Sequence, residues 1–310
     1  MSNTKPGHWR GYGAALLAAV SFSGKAVVIK LLYRHGIDAV DAIALRMLLS
    51  WPLFAAMAWW AGRTGPPLTR RDGTIAVVLG FTGYYASSML DFLGLQYISA
   101  SLERLILFVY PTMVALIVAA RGHRAMTRLQ IIALATSYGG VLLVFGREAL
   151  GSLETARAGV LWGGSLVLGS AAFYAAYLVV GGAAVGRLGA LRLTGLAGSV
   201  ACALCVAQFC LLRPWSAWLH FTAPVWELSL FNAVACTALP TWMVMRAMAA
   251  IGPAHTAQVA MIGPVSTLLL AAWLLDEPLT ATVLLGTGLV LAGVALIVRP
   301  QAQAVAAQAP

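Results

Sequence analysis

The chain has 310 residues, of which 61% are hydrophobic and only 10% charged. A soluble domain carries roughly 25% charged residues to cover its surface, so this composition excludes a soluble globular enzyme, a disordered tail protein and a disulfide-rich secreted scaffold. The formal net charge of +10 does not indicate nucleic acid, because the basic residues sit in short gaps between apolar runs and form no basic and aromatic patch of usable size.

A hydrocarbon core of about 30 Å needs roughly 20 apolar residues per helix. Ten stretches meet this requirement: 11–32, 39–61, 74–97, 99–120, 128–146, 158–180, 188–212, 226–250, 253–275 and 279–299. Apolar runs of this length leave no polar-facing positions for a barrel, and the connections are too short for a soluble domain. The expected fold class is therefore an all-α integral membrane protein. Lys5, His8 and Arg10 precede the first span as in a signal peptide, but the span is long, lacks a clear cleavage site and is followed by nine more, so it is read as a mature helix. Cys202, Cys205, Cys210 and Cys236 all lie in apolar runs without a nearby histidine or carboxylate, and are read as packing residues.

With the N-terminus placed in the cytoplasm, Lys5, Arg10, Arg63, Arg70, Arg71, Arg121, Arg124, Arg128, Arg187, Arg192 and Arg299 fall inside. Only Arg34, Arg147, Arg157 and Arg213 fall outside. This bias predicts a multi-pass protein of the inner (plasma) membrane with both termini cytoplasmic.

A shift of 153 residues superposes two long segments without a gap. Ile98 falls on Ile251, Pro111 on Pro264, Thr127 on Thr280 and Gly140–Val141 on Gly293–Val294. The halves, 1–150 and 151–310, then hold five spans each. An odd number makes them enter the membrane in opposite directions, the inverted-repeat arrangement of secondary transporters, with a site expected near the midplane between them.

Ionisable residues inside spans are costly and usually functional. Lys25, Lys30, Arg46, Asp91, Glu103 and Arg104 lie in the first four spans. A rise of 1.5 Å per residue puts Lys25 and Arg46 roughly 6 Å, and Asp91 and Glu103 roughly 8–10 Å, to the outer side of the midplane. Two readings stay open: a structural network with Lys30 and Arg104 snorkelling, or an outer gate of Arg46, Glu103 and Arg104 beside a cavity lined by Lys25 and Asp91. Arg246 and His255 are the mirror candidates for an inner gate. Tyr84, Ser88 and Asp91 form one helical stripe at i, i+4 and i+7; Tyr85, Trp162, Phe173, Tyr177, Trp242 and Gln258 complete the candidate substrate-binding set. Such a mix suits a small zwitterion or cation. Pro111 and Pro264, near the middle of spans four and nine, free the carbonyls of Leu107 and Ala260 and are candidate hinges.

The segments LRMLLSWP, LDFLGLQYISASLERLILFVYPTMVALIVA and GPVSTLLLAAWLLDEPLTATVLLGTGLVLAGVAL resemble the drug/metabolite transporter superfamily, EamA type, over essentially the whole length. The first half departs from that pattern, with Arg121-Gly-His-Arg124 where the second half has Leu274-Leu-Asp-Glu-Pro278. The resemblance implies ten helices in two inverted five-helix repeats, and alternating-access movement of a small organic metabolite, an amino acid or related compound or a drug-like cation, in the export direction. No catalytic motif is found and no cofactor or metal site is implied. The expected partners are the small-molecule substrate, membrane lipid and protons as coupling ion, in a monomer or weak dimer. The alternatives are an integral-membrane enzyme acting on lipid-linked substrates, and a channel.

Overall fold

The computed structural model describes residues 6–120, 127–151 and 154–306, all of them helical or in turns. The helices are α1 (Pro6–Arg34), α2 (Ala39–Gly62), α3 (Arg70–Leu79), α4 (Ser87–Leu95), α5 (Ala100–Leu107), α6 (Tyr110–Ala120) and α7 (Arg128–Gly151). They continue with α8 (Glu154–Leu188), α9 (Ala190–Leu212), α10 (Ala217–His220), α11 (Ala223–Ala233), α12 (Leu239–Ala260), α13 (Gly263–Leu275) and α14 (Ala281–Ala306). Among the described residues, nine segments are long and apolar enough to cross a membrane, and Ala281–Leu296 is a shorter apolar helix. The departure Arg121–Arg124 lies outside the described residues.

Two spans are broken, each at the turn before a proline. α5 stops at Leu107 and α6 starts at Tyr110, with Val109 N–H donating to Ile106 O at 3.2 Å. α12 stops at Ala260 and α13 starts at Gly263, with Ile262 N–H donating to Val259 O at 3.1 Å. The 153-residue shift carries one turn onto the other. The cause is local: Pro111 and Pro264 lack the N–H that would continue the ladder, so the chain tightens to i→i+3 bonding and restarts with proline in the first turn. α12 also contains a kink at Gly252, whose φ of 79° is favourable only for glycine.

A second paired irregularity carries no proline. A π-helical segment, Gly80–Ala86, joins α3 to α4, and another, Val234–Ala238, joins α11 to α12. The shift carries 80–86 onto 233–239, which contains the second. One extra residue in the turn rotates all that follows on the helix and so re-aims its side chains.

Close approach rests on small residues. A Cβ on Gly140 would stand 2.6 Å from Gly286 O, and one on Gly293 would stand 2.6 Å from Ala133 O, so α7 and α14 pack nearly backbone to backbone. Gly94 and Gly163 do the same between α4 and α8, at 2.6 and 2.8 Å from each other's carbonyl.

The two ends of the bundle differ. At the end holding Arg34, Asp38, Arg213 and Glu277, one large buried cluster draws on α1, α2, α4, α5, α9, α11 and α13, from Leu32 and Ile43 to Phe92, Cys205, Val225 and Leu275, and a second, with Leu102, Val144, Ala149 and Val160, joins α5, α7, α8 and α14. At the opposite end the buried residues fall into separate clusters. Leu79, Leu188 and Leu193 tie α3, α8 and α9, while Ala15, Ala247 and Ile251 tie α1 and α12.

Candidate functional site

Lys25, near the middle of α1, is the start of a buried charge cluster. Its Nζ lies 2.6 Å from Asp91 Oδ2 on α4, with side-chain exposures of 16% and 2%. Asp91 Oδ1 has no hydrogen-bond donor, and the Asp91 carboxyl instead faces that of Glu103 on α5. Glu103 is completely buried, and neither oxygen meets a donor. Two facing carboxyls form a hydrogen bond only when one of them carries a proton. Arg104 sits 4.0 Å from Glu103, but its guanidinium is directed across the bundle, donating to Thr267 Oγ1 of α13 at 3.0 Å and to Phe22 O of α1 at 2.9 Å. Arg104 is therefore an inter-helix tie, in contrast to the snorkelling residue of the structural reading.

Arg46, on α2, stacks its guanidinium 4.6 Å from the centroid of the Phe92 ring, and Lys25 lies 5.8 Å from the same ring. Its Nε and Nη2 find no hydrogen-bond partner. Tyr33 holds this wall in place by donating from its hydroxyl to Phe92 O at 2.6 Å. The structure thus brings Lys25, Arg46, Asp91, Glu103 and Arg104 together from four helices.

An aromatic row leads away from the cluster. Phe54 and Tyr84 are 5.9 Å apart, Tyr84 and Tyr177 5.5 Å, Tyr177 and Tyr174 5.7 Å, and Tyr174 and Tyr110 5.1 Å. Gly83 makes the Tyr177 position available, since a Cβ there would stand 2.3 Å from the ring. Tyr174, three residues from Tyr177 on the same helix, is its neighbour by spacing, and Tyr110 is an addition from another helix. Tyr85 pairs with Phe81 at 5.6 Å instead. The stripe Tyr84, Ser88, Asp91 is modified: Ser87, one turn before Asp91, takes the buried place, its Oγ 3.0 Å from Ser170 Oγ on α8, while Ser88 is only half-buried.

Other candidates stand elsewhere. Trp162 is 58% exposed and Phe173 is exposed too, outside the aromatic row. Trp242 is exposed and pairs with Arg246, whose guanidinium lies 4.9 Å from its ring. His255 is exposed, with Nδ1 3.0 Å from Ile251 O and its ring edge-on to Tyr12; Gln258 is exposed one turn later. These four lie on α12, apart from the charge cluster. Among the described residues no three His, Cys, Asp or Glu side chains are grouped to hold a metal ion.

The cross-links at the clustered end come from residues that spacing did not mark. The Glu277 carboxylate accepts from Ala100 N at 2.7 Å, Ser101 N at 3.1 Å and Ser101 Oγ at 2.6 Å, capping α5 from the other half of the chain. Glu148 accepts from Ser99 N at 2.8 Å and Ser99 Oγ at 2.7 Å. A carboxylate at a helix N-terminus satisfies orphan N–H groups and complements the helix dipole. Arg34 donates to Leu275 O at 2.9 Å, and Arg213 bridges Asp38 and Asp41. At the opposite end Arg187 pairs with Asp72 at 3.0 Å and Arg192 donates to Pro66 O at 2.6 Å, linking α3 and the loop before it to α8 and α9 only.

The model of the EamA-like transporter family matches residues 9–146 and again 161–299. The chain belongs to the EamA-like transporter family. It is 28% identical over 281 residues to the "Uncharacterized transporter YcbK" of Bacillus subtilis (strain 168), spanning 88% of each chain. A solved crystal structure of 16% identity, covering 94% of this chain and 96% of its own, superposes with a TM-score of 0.59 and shares the fold. The EamA-like match makes this a multi-pass membrane protein of a transporter family, and points away from an enzyme.

Proposed function

We propose that this EamA-like protein is a secondary carrier that moves a small organic metabolite, an amino acid or related compound or a drug-like cation, by alternating access, in the export direction. The observation that carries the reading is the asymmetry of the bundle. One end is closed by two large buried clusters and by Glu277, Arg34 and Arg213, which tie the two halves or distant helices, whereas at the other end the buried residues form small clusters. The paired breaks before Pro111 and Pro264 supply hinge points between the two ends.

Ten spans in two inverted repeats are supported by the double family match and by reciprocal contacts. Gly140 against Gly286 becomes Gly293 against Ala133 when each residue is replaced by its counterpart 153 positions away. The repeat units are 1–150 and 151–310. The lysine and arginine bias places the sealed end outside and both termini in the cytoplasm of a bacterial-type inner membrane, so the conformation described is closed to the outside.

The facing Asp91 and Glu103 carboxyls, beside Lys25, are the proposed proton site. Lys25, Tyr84, Asp91 and Tyr177 are the proposed cavity side chains. Protein reconstituted into liposomes should exchange internal against external solute from a panel of amino acids, nucleobases, vitamins and organic cations. Conductance without counterflow would instead mark a channel, and chemical conversion without movement an enzyme.

A further inference from the structure

The charge cluster does not balance. Lys25, Arg46 and Arg104 supply three buried or half-buried cations, and Asp91 and Glu103 supply two carboxyls, at most two negative charges. Lys25 takes Asp91 Oδ2, and Arg104 is bound to Thr267 and Phe22. Arg46 is left 4% exposed, against an aromatic face, with Nε and Nη2 unbonded. A buried guanidinium without a hydrogen-bonded counter-charge is a costly arrangement.

More unbonded polar atoms lie on a helix that packs on α2. α11 packs on α2, and Ser50 Oγ donates to Ala233 O at 3.4 Å. Both helices run inward from the sealed end, so Arg46 and Ser229, each four residues before that contact, stand at the same level. Ser229 Oγ and both amide atoms of Asn232 are fully buried and have no partner. Guanidinium, hydroxyl and amide N–H are all donors, and together they are the donor set of an oxyanion site.

We infer that Arg46, with Ser229 and Asn232, forms an anion site between α2 and α11 that receives a carboxylate or similar oxyanion, either carried on the transported solute or as a free ion. Arg46 then acts as a binding residue as well as a gate member. The carried-solute form rests on the transport reading above, and deepens it by requiring the cargo to bear an anionic group.

Two measurements test this. In liposomes, counterflow is compared for a panel of amino acids, each beside its C-terminal amide, with wild type, Arg46→Lys and Arg46→Gln. In nanodiscs, the unfolding temperature of wild type and Arg46→Lys is followed against sodium acetate and sodium phosphate. The carried-solute form predicts that at least one acid exchanges about ten-fold faster than its amide, and that Arg46→Lys removes most of that preference, because a lysine cannot offer the paired N–H fork. Stabilisation of wild type by acetate or phosphate, absent in Arg46→Lys and without exchange of any acid, supports a free ion. Should acids and amides exchange equally in wild type and Arg46→Lys, the anion site is overturned while the carrier reading stands. If nothing exchanges, in this panel or in the wider one above, but the anion still stabilises wild type alone, the carrier reading falls and the site remains. Neither exchange nor stabilisation overturns the site. Arg46→Lys keeps the charge, so failure of Arg46→Gln to fold does not decide the matter.

Discussion

Lys25 and Asp91, 66 positions apart, meet at 2.6 Å inside a helix bundle. Removal of one partner leaves a buried charge alone, which costs about 3–5 kcal/mol, whereas removal of both can be nearly neutral. Lys25→Met and Asp91→Asn should each lower the unfolding temperature and the yield of folded protein. The double variant should recover most of the stability but not the transport rate. Equal stability for single and double variants would show that the pair is not the dominant contact of either residue.

Glu277 caps α5 with three hydrogen bonds from a different half of the chain. Glu277→Gln keeps the shape but loses the charge, and hydrogen bonds to a charged group are worth about 1.5–3 kcal/mol each. The sealed end should open more often. A reporter cysteine at Leu102, which is buried, should label faster from the Glu277 end in Glu277→Gln than in an otherwise identical background. Unchanged labelling would make Glu277 a cap without a role in closure.

Pro111→Ala and Pro264→Ala restore an N–H where each span is broken. Both should lower transport per folded molecule several-fold while leaving expression close to wild type, because the change closes a hinge and, even at buried Pro264, removes only part of a ring. The check is turnover normalised to folded protein in liposomes. Loss of expression with normal specific transport would assign the prolines a structural role alone.

Glu103→Gln tests the proton site. A glutamine can still hydrogen-bond Asp91 but cannot exchange a proton, so an imposed pH gradient should no longer drive accumulation, while solute exchange at equal pH on both sides continues. Counterflow and gradient-driven uptake measured on the same vesicles separate the two. Gradient-driven accumulation that persists in Glu103→Gln would remove Glu103 from the coupling.

Orientation is open to labelling in a background without native cysteines. Cysteines at His35 and Ser216, both exposed at the sealed end, should react with an impermeant thiol reagent in intact cells, and a cysteine at exposed Arg71 should not. The opposite pattern would reverse the membrane orientation and the direction of closure with it.

The parts of this protein legible in its sequence are those set along a single helix. Span length follows from hydropathy, because apolar residues must match the hydrocarbon thickness. The breaks at residues 107–110 and 260–263 follow from Pro111 and Pro264, since a missing N–H acts on the chain's own preceding turn. The paired threonines cap as their spacing implies, Thr127 Oγ1 accepting from Gln130 N and Thr280 Oγ1 from Val283 N, both at 3.3 Å. Even the shared depth of Lys25, Arg46, Asp91 and Glu103 is readable from a rise of 1.5 Å per residue. What depth cannot set is rotation about each helix axis and the choice of partner, and these came only from packing. Ser87 and not Ser88 is buried because α8 packs on that side of α4 and offers Ser170. Arg104 turned from its neighbour Glu103 to Thr267, 163 positions away, because the second half supplies an acceptor where the first half's own helix cannot. Glu277 found α5 in the same way. The Ser87–Ser170 pairing joins α4 and α8, whose backbones meet at Gly94 and Gly163, and all these pairings depend on how separate helices pack, which the tertiary structure alone decides.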